Sequence, residues 1–163
     1  MKFDQIAIAT PEPETAIQIF QDLGLLNPDD EWVQDVATGT ARVWDSEPEE
    51  LRGELKFNYD LADIKEFELL TYGDGNDWLS RSGVTLPTVS HLGVHVSHEE
   101  AAEVIGRAAY LGLSIAQQVA THSHENAYLI ERERTYVYTI IHTRTWLGFD
   151  VKLIERIEGG DDG

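Results

Sequence analysis

Ser90-His91-Leu92-Gly93-Val94-His95-Val96 is the stretch from which the fold is read. His91, Gly93 and His95 fall on one side and Leu92, Val94 and Val96 on the other, the period-two alternation of a half-buried strand. Ser97 follows, with Glu100 three positions on, and together they form a capping box that opens a helix. Ala101, Val104, Ile105, Ala108 and Leu111 recur at helical spacing on that helix, and Gly112 is its expected C-cap. Strands are expected after it near 114–121, 127–130, 136–143 and 149–157.

Working outward, the same order of signals opens the chain. Gln5-Ile6-Ala7-Ile8 matches His91-Leu92-Gly93-Val94 at a shift of 86, Leu23-Gly24-Leu25 matches Leu111-Gly112-Leu113 at 88, and Phe67-Glu68-Leu69-Leu70 matches Val151-Lys152-Leu153-Ile154 at 84. A first strand over 2–9 leads into a helix over about 13–23. Pro11 and Pro13 stand at its entrance, and Ala16, Ile17, Phe20 and Leu23 on its core face. Strands are expected at about 31–44, 54–59 and 65–72, with the acidic stretch 45–50 as a solvated loop. The chain therefore reads as an α+β protein of two tandem βαβββ modules, 1–73 and 89–157. A turn-rich linker over 74–88, anchored by Trp78, joins them, and a disordered acidic tail over 158–163 follows. Neither half is large enough for a good core alone, so the two are expected to share one sheet system.

Composition narrows the function. The 163 residues include 12 Lys plus Arg against 30 Asp plus Glu, a formal charge of −18, which argues against a nucleic-acid partner and against anionic membrane surfaces. With 42% hydrophobic residues the chain is too apolar for a disordered acidic polymer. It contains no cysteine, so disulfides, thiolate nucleophiles and Fe–S clusters are all excluded. No apolar run is long enough to span a bilayer, and a cytoplasmic protein is expected. No phosphate loop, dinucleotide fingerprint or Ser-His-Asp order is present.

The chain resembles the vicinal oxygen chelate superfamily, which includes glyoxalase I, bleomycin-resistance proteins, extradiol dioxygenases and methylmalonyl-CoA epimerases. The resemblance is carried by Phe3-Asp4-Gln5-Ile6-Ala7-Ile8-Ala9, Asp22-Leu23-Gly24-Leu25, Phe67-Glu68-Leu69-Leu70, Ser90-His91-Leu92-Gly93-Val94-His95-Val96 and Gly148-Phe149-Asp150-Val151-Lys152-Leu153-Ile154-Glu155. It implies two βαβββ modules forming a cupped, barrel-like mixed sheet, a homodimer, and a small-molecule ligand. It also implies a divalent metal (Zn, Ni, Mn or Fe(II)) that polarises an oxygenated substrate in lyase, isomerase or dioxygenase chemistry. Carried over by position, the metal ligands are Gln5, Glu68 and His91, with Lys152 where the family normally has Glu.

An amide oxygen, a carboxylate and an imidazole suit a borderline or hard divalent ion, and three protein ligands leave room for water and substrate. Lysine alters this. A protonated ammonium does not coordinate metal, so Lys152 can pair with Glu68 in a metal-free binding or sequestration protein, or anchor an anionic group of the substrate. Beside a metal it can instead lose its proton and serve as general base, which makes Lys152 and Glu68 the catalytic candidates. A slip of the last strand by two residues would put Asp150 in its place.

Three further residues are candidates for substrate binding. His95 shares a strand face with His91, and either lines the pocket or is a hydrogen-bonded, partly buried histidine. His142 can reach the same cup from the strand before Lys152. Arg134 is an anion clamp or one of the exposed ion pairs of Glu131-Arg132-Glu133-Arg134, read as a strand or hairpin. His122 and His124 read as exposed turn residues despite their metal-tract appearance, and His98 as surface. Trp32, Trp44, Trp78 and Trp146 read as sheet-face or rim packing.

Overall fold

The computed structural model describes residues 1–44, 46–61, 64–72, 75–131 and 133–158. The first half contains β1 (Lys2–Ala9), α1 (Pro13–Asp22), β2 (Val33–Val43), β3 (Glu49–Leu61) and β4 (Ile64–Tyr72). Between the halves lies α2 (Trp78–Arg81). The second half contains β5 (Thr88–Val96), α3 (His98–Tyr110), β6 (Ile115–His124), α4 (Ala127–Glu131), β7 (Thr135–Ile141), α5 (Arg144–Leu147) and β8 (Asp150–Glu158). The paired βαβββ order expected from the sequence is the order observed. The capping box of Ser97 and Glu100 opens α3, and Gly24 and Gly112 follow α1 and α3 at φ of +73°, a conformation that favours glycine.

The eight strands form one closed barrel in the order β1-β4-β3-β2-β6-β7-β8-β5. The two modules meet at two antiparallel seams, β1 with β5 and β2 with β6. Within each module the first and last strands run parallel, β1 with β4 and β5 with β8. This register makes Glu66 of β4 the counterpart of Asp150, and Glu68 the counterpart of Lys152, since Gln5 faces Glu66 and His91 faces Asp150.

Alternation divides each strand between two cores. On the outside, Ile17 of α1 packs on Phe67 and Leu69, with Phe20 and Trp32 meeting Phe67 edge-on at 5.7 and 6.1 Å. Ala101 and Ala108 of α3 cover Val94, Val96 and Leu153 in the same way. Inside, one half of the barrel is filled by Ala41, Val43, Leu51, Leu70, Val119 and Ile140, and Trp78 and Leu79 close it. These two residues belong to α2, which the buried Asp77 caps by accepting the N–H groups of Leu79 and Ser80 at 3.0 Å.

Several local expectations are overturned. Residues 127–130 form helix, not strand, because a four-residue apolar run carries no decisive period. The acidic loop is shorter than expected, since Glu49 and Glu50 already pair with β2. Glu131 ends α4 and Glu133 turns the chain at φ +49°, so this stretch is no strand; Arg134 is buried, and Arg132 lies outside the described residues. His124 is not in a turn but in β6. Trp146 is 81% exposed on α5, rather than packed on a sheet face. Of the acidic tail, Glu158 completes β8 and 159–163 lie outside the described residues.

Candidate functional site

The barrel interior turns polar halfway along. Gln5 and His91, on neighbouring strands across the β1–β5 seam, point into it and are nearly fully buried. Gln5 passes directly over Gly93, where an added Cβ would lie 2.6 Å from Gln5 Oε1 and 2.7 Å from its Cβ; glycine is required for this approach. The Gln5 amide nitrogen donates to Glu66 Oε2 at 3.0 Å, so its oxygen faces His91 Nε2 at 2.8 Å. An amide oxygen only accepts, so Nε2 carries the imidazole proton and Nδ1 accepts from the Ser90 hydroxyl at 2.9 Å. Burial, with Lys152 and Arg144 nearby, holds His91 well below the usual histidine range, and the ring is neutral.

Across the barrel, Lys152 Nζ stands 4.0 Å from Glu68 Oε2 and 4.2 Å over the Tyr138 ring. Neither Glu68 oxygen has a hydrogen-bond partner, although both are buried. Burial raises the Glu68 carboxyl, and Lys152 pulls the other way. Glu66 is pushed up to about 7, first by burial and then by Glu68. The Tyr138 phenol is driven well above its ordinary value by burial and by Tyr136, Glu68, Glu66 and Asp35, so it stays protonated. The described residues leave a cavity of about 50 Å³ between Glu68, Lys152, Tyr138, His91, Trp78 and Gln117. At roughly 10–15 Å³ for each water, that space suits about four waters or a few heavy atoms of a ligand.

The far end of this cavity is plugged. Trp78 Nε1 donates to Asp150 Oδ2 at 2.7 Å, and its backbone N–H donates to Gln117 Oε1 at 3.2 Å. Asp150 also accepts the N–H groups of Thr143 and Arg144 at 3.0 Å, so it is consumed in holding the plug and Lys152 keeps the inner position.

The structure thus gathers Gln5, Glu68, His91 and Lys152 in one interior. The other three candidates lie elsewhere. His95 is at the opposite rim, its Nδ1 2.5 Å from Asp4 Oδ1. His142 is at the plugged end, 3.2 Å from Asp150 Oδ1 and edge-on to Trp44 at 5.2 Å. Arg134, buried just before β7, is not among the residues lining the cavity. Glu66 was not singled out from the sequence, although the spacing Glu66-Phe67-Glu68 puts both carboxylates on one strand face.

Whether Gln5, Glu68 and His91 suit a divalent ion can be judged from their bonding. The His91 proton points at Gln5, its lone pair is turned to Ser90, and the fourth position holds an ammonium, which coordinates no metal and repels a dication beside it. These residues do not fit a metal as they are arranged. Among the described residues, no group of three or more His, Cys, Asp or Glu could hold one.

No family model matches the chain, and no curated protein matches it by sequence. Similar solved structures include the methylmalonyl-CoA epimerase of Mycobacterium tuberculosis, at 18% identity over 94% of this chain and 86% of that one with a TM-score of 0.49. A variant of the Streptomyces coelicolor methylmalonyl-CoA epimerase, in complex with 2-nitronate-propionyl-CoA, is 13% identical over 95% and 96%, with a TM-score of 0.48. A 4-hydroxymandelate synthase mutant from Streptomyces coelicolor is 11% identical over 99% of this chain but only 50% of its own, with a TM-score of 0.48. The closed barrel of paired βαβββ modules is the fold expected from the sequence. The activity has to be read from the residues. No helix among the described residues is long and apolar enough to cross a membrane.

Proposed function

We propose that this protein binds a small, uncharged, oxygenated molecule inside the barrel without a metal, with Lys152 and Glu68 as the polar contacts. The observation that carries this is the gap in their pair. At 4.0 Å the ammonium and carboxylate are too far apart to hydrogen-bond, and both Glu68 oxygens lack partners. A hydroxyl placed between them accepts from Lys152 and donates to Glu68, satisfying both. Charge favours a neutral ligand: Lys152 balances Glu68, Glu66 titrates only at about 7, and an imported charge would be buried without a counter-ion. The metal-dependent lyase, isomerase or dioxygenase expected from the family resemblance is the competing reading.

Metal titration followed by thermal unfolding separates the two. Zn, Ni, Mn and Fe(II) should leave the wild type unshifted. Lys152→Glu, which restores a carboxylate at the fourth corner, should gain a metal-dependent rise in Tm. A wild-type shift that disappears in Glu68→Ala would overturn the metal-free reading.

A further inference from the structure

The cavity holds a further polar group that the Lys152–Glu68 pair does not use. Gln117 of β6 lines it and is 2% exposed. Strand β6 carries one extra residue, Ala116, opposite β7, so Ile115 pairs with Ile141 of the outer core and Gln117 with Ile140 of the inner one. Ile140 in turn pairs with Lys152. Gln117, Ile140 and Lys152 therefore form one row across β6, β7 and β8, and all three line the cavity. The two ends of that row lie two strand spacings apart at the backbone, about 10 Å.

The plug orients the Gln117 amide. The backbone N–H of Trp78 can only donate, and it donates to Gln117 Oε1 at 3.2 Å. The oxygen is thus turned to α2, which leaves the NH2 group as the free end. Its nitrogen has no hydrogen-bond partner among the described residues. Nor is it one of the partnerless atoms sealed off by surrounding protein, so it has open space beside it. For a residue this buried, that space is the cavity it lines. Other polar groups on the same wall are already occupied: both His91 nitrogens, the Trp78 indole and the Thr121 hydroxyl have protein partners. A buried amide donor without an acceptor is unfavourable, so what fills the cavity is expected to supply one. A carboxamide does not titrate, so the donor is present at every working pH.

We propose that Gln117 is a third ligand-binding residue, whose NH2 group donates to a second oxygen of the ligand. This rests on the metal-free reading of the barrel, in which a hydroxyl sits between Lys152 and Glu68. The second oxygen only has to accept. The ligand class is thus a short neutral molecule with a hydroxyl at one end and an ether or carbonyl oxygen at the other.

The test is an NMR titration with isosteric pairs that differ by one exchange of CH2 for oxygen: 2-methoxyethanol against butan-1-ol, and 3-methoxypropan-1-ol against pentan-1-ol. An ether is better hydrated than a methylene whatever the protein does, so the quantity read is the ether-to-alcohol affinity ratio in the wild type relative to that in Gln117→Met. At one of the two lengths it should be about fivefold higher in the wild type, the worth of one hydrogen bond. In the wild type itself, the Gln117 side-chain NH2 signals should move downfield with the ether and not with the alcohol. A purely structural Gln117 would not give that response, and it needs no variant to fold. Alcohols that bind while the ratio is the same in both proteins at both lengths, or while the NH2 signals respond alike to ether and alcohol, would overturn the Gln117 role and leave the barrel reading standing. If neither alcohol nor ether moves the signals of Tyr138 or Gln117, the barrel reading falls and the Gln117 role with it.

Discussion

Replacing Glu66 by glutamine should stabilise the protein, and only above a defined pH. Glu66 has an ordinary value of 4.5 and is held at about 7 in the fold, so folding opposes its ionisation. Below pH 4.5 the folded and unfolded states are both protonated and nothing is lost. Between 4.5 and about 7 the unfolded chain gives up its proton while the folded chain keeps it, so stability falls with rising pH. Above 7 the loss is complete. A gap of about 2.5 pH units at 1.36 kcal/mol each amounts to about 3 kcal/mol. Glutamine is never charged, and its amide oxygen can still accept from Gln5. Glu66→Gln should therefore match the wild type near pH 4 and exceed it by about 3 kcal/mol at pH 8, roughly 6–12 °C in Tm for a chain of this size. Urea unfolding followed by tryptophan fluorescence across pH 4 to 8 measures this directly. A gain that does not vary with pH, or a loss at pH 8, would refute the reasoning.

Two structural predictions follow from close contacts. Gly93→Ala puts a methyl group on Gln5 and should cost about 1–3 kcal/mol in urea unfolding; the same change should shift the His91 ring nitrogens in long-range NMR spectra as the Gln5 hydrogen bond moves. Trp78→Phe keeps most of the plug but leaves Asp150 without its indole donor, and a loss of about 1–3 kcal/mol is expected. An unchanged unfolding midpoint would show that Asp150 does not hold α2.

The paired modules were legible because their signals are local. Strand alternation in β1 and β5, the Ser97 capping box and the two C-cap glycines can each be seen within one turn or a few residues. The interior four, Gln5, Glu68, His91 and Lys152, were reached through the family resemblance, carried over by position, and the repeat only aligns Gln5 with His91 and Glu68 with Lys152. What escaped depends on contacts between distant residues. An extra residue in β6 reverses which side chains face inward, so alternation along that strand does not reveal that Gln117 points into the barrel. Its partner Trp78 belongs to α2, and no spacing rule links them. The role of Trp78 in closing the barrel likewise depends on Asp150 and Gln117, both remote in sequence. Arg134 reads as one of a surface row of charges because alternation in sign carries no information about burial.

Closure at both seams has a consequence for assembly. A complete ring presents no rim strand with free N–H and C=O groups, so another chain cannot extend the sheet by adding a strand. Association between copies must then use side chains, and the exposed apolar ones include Tyr110 of α3 and Trp146 of α5 as well as Phe3 of β1 and Ile157 of β8. The same closure guards against fibre-like growth: backbone edges become available only after a seam has been torn open, and at the β1–β5 seam that means separating Gln5 from His91.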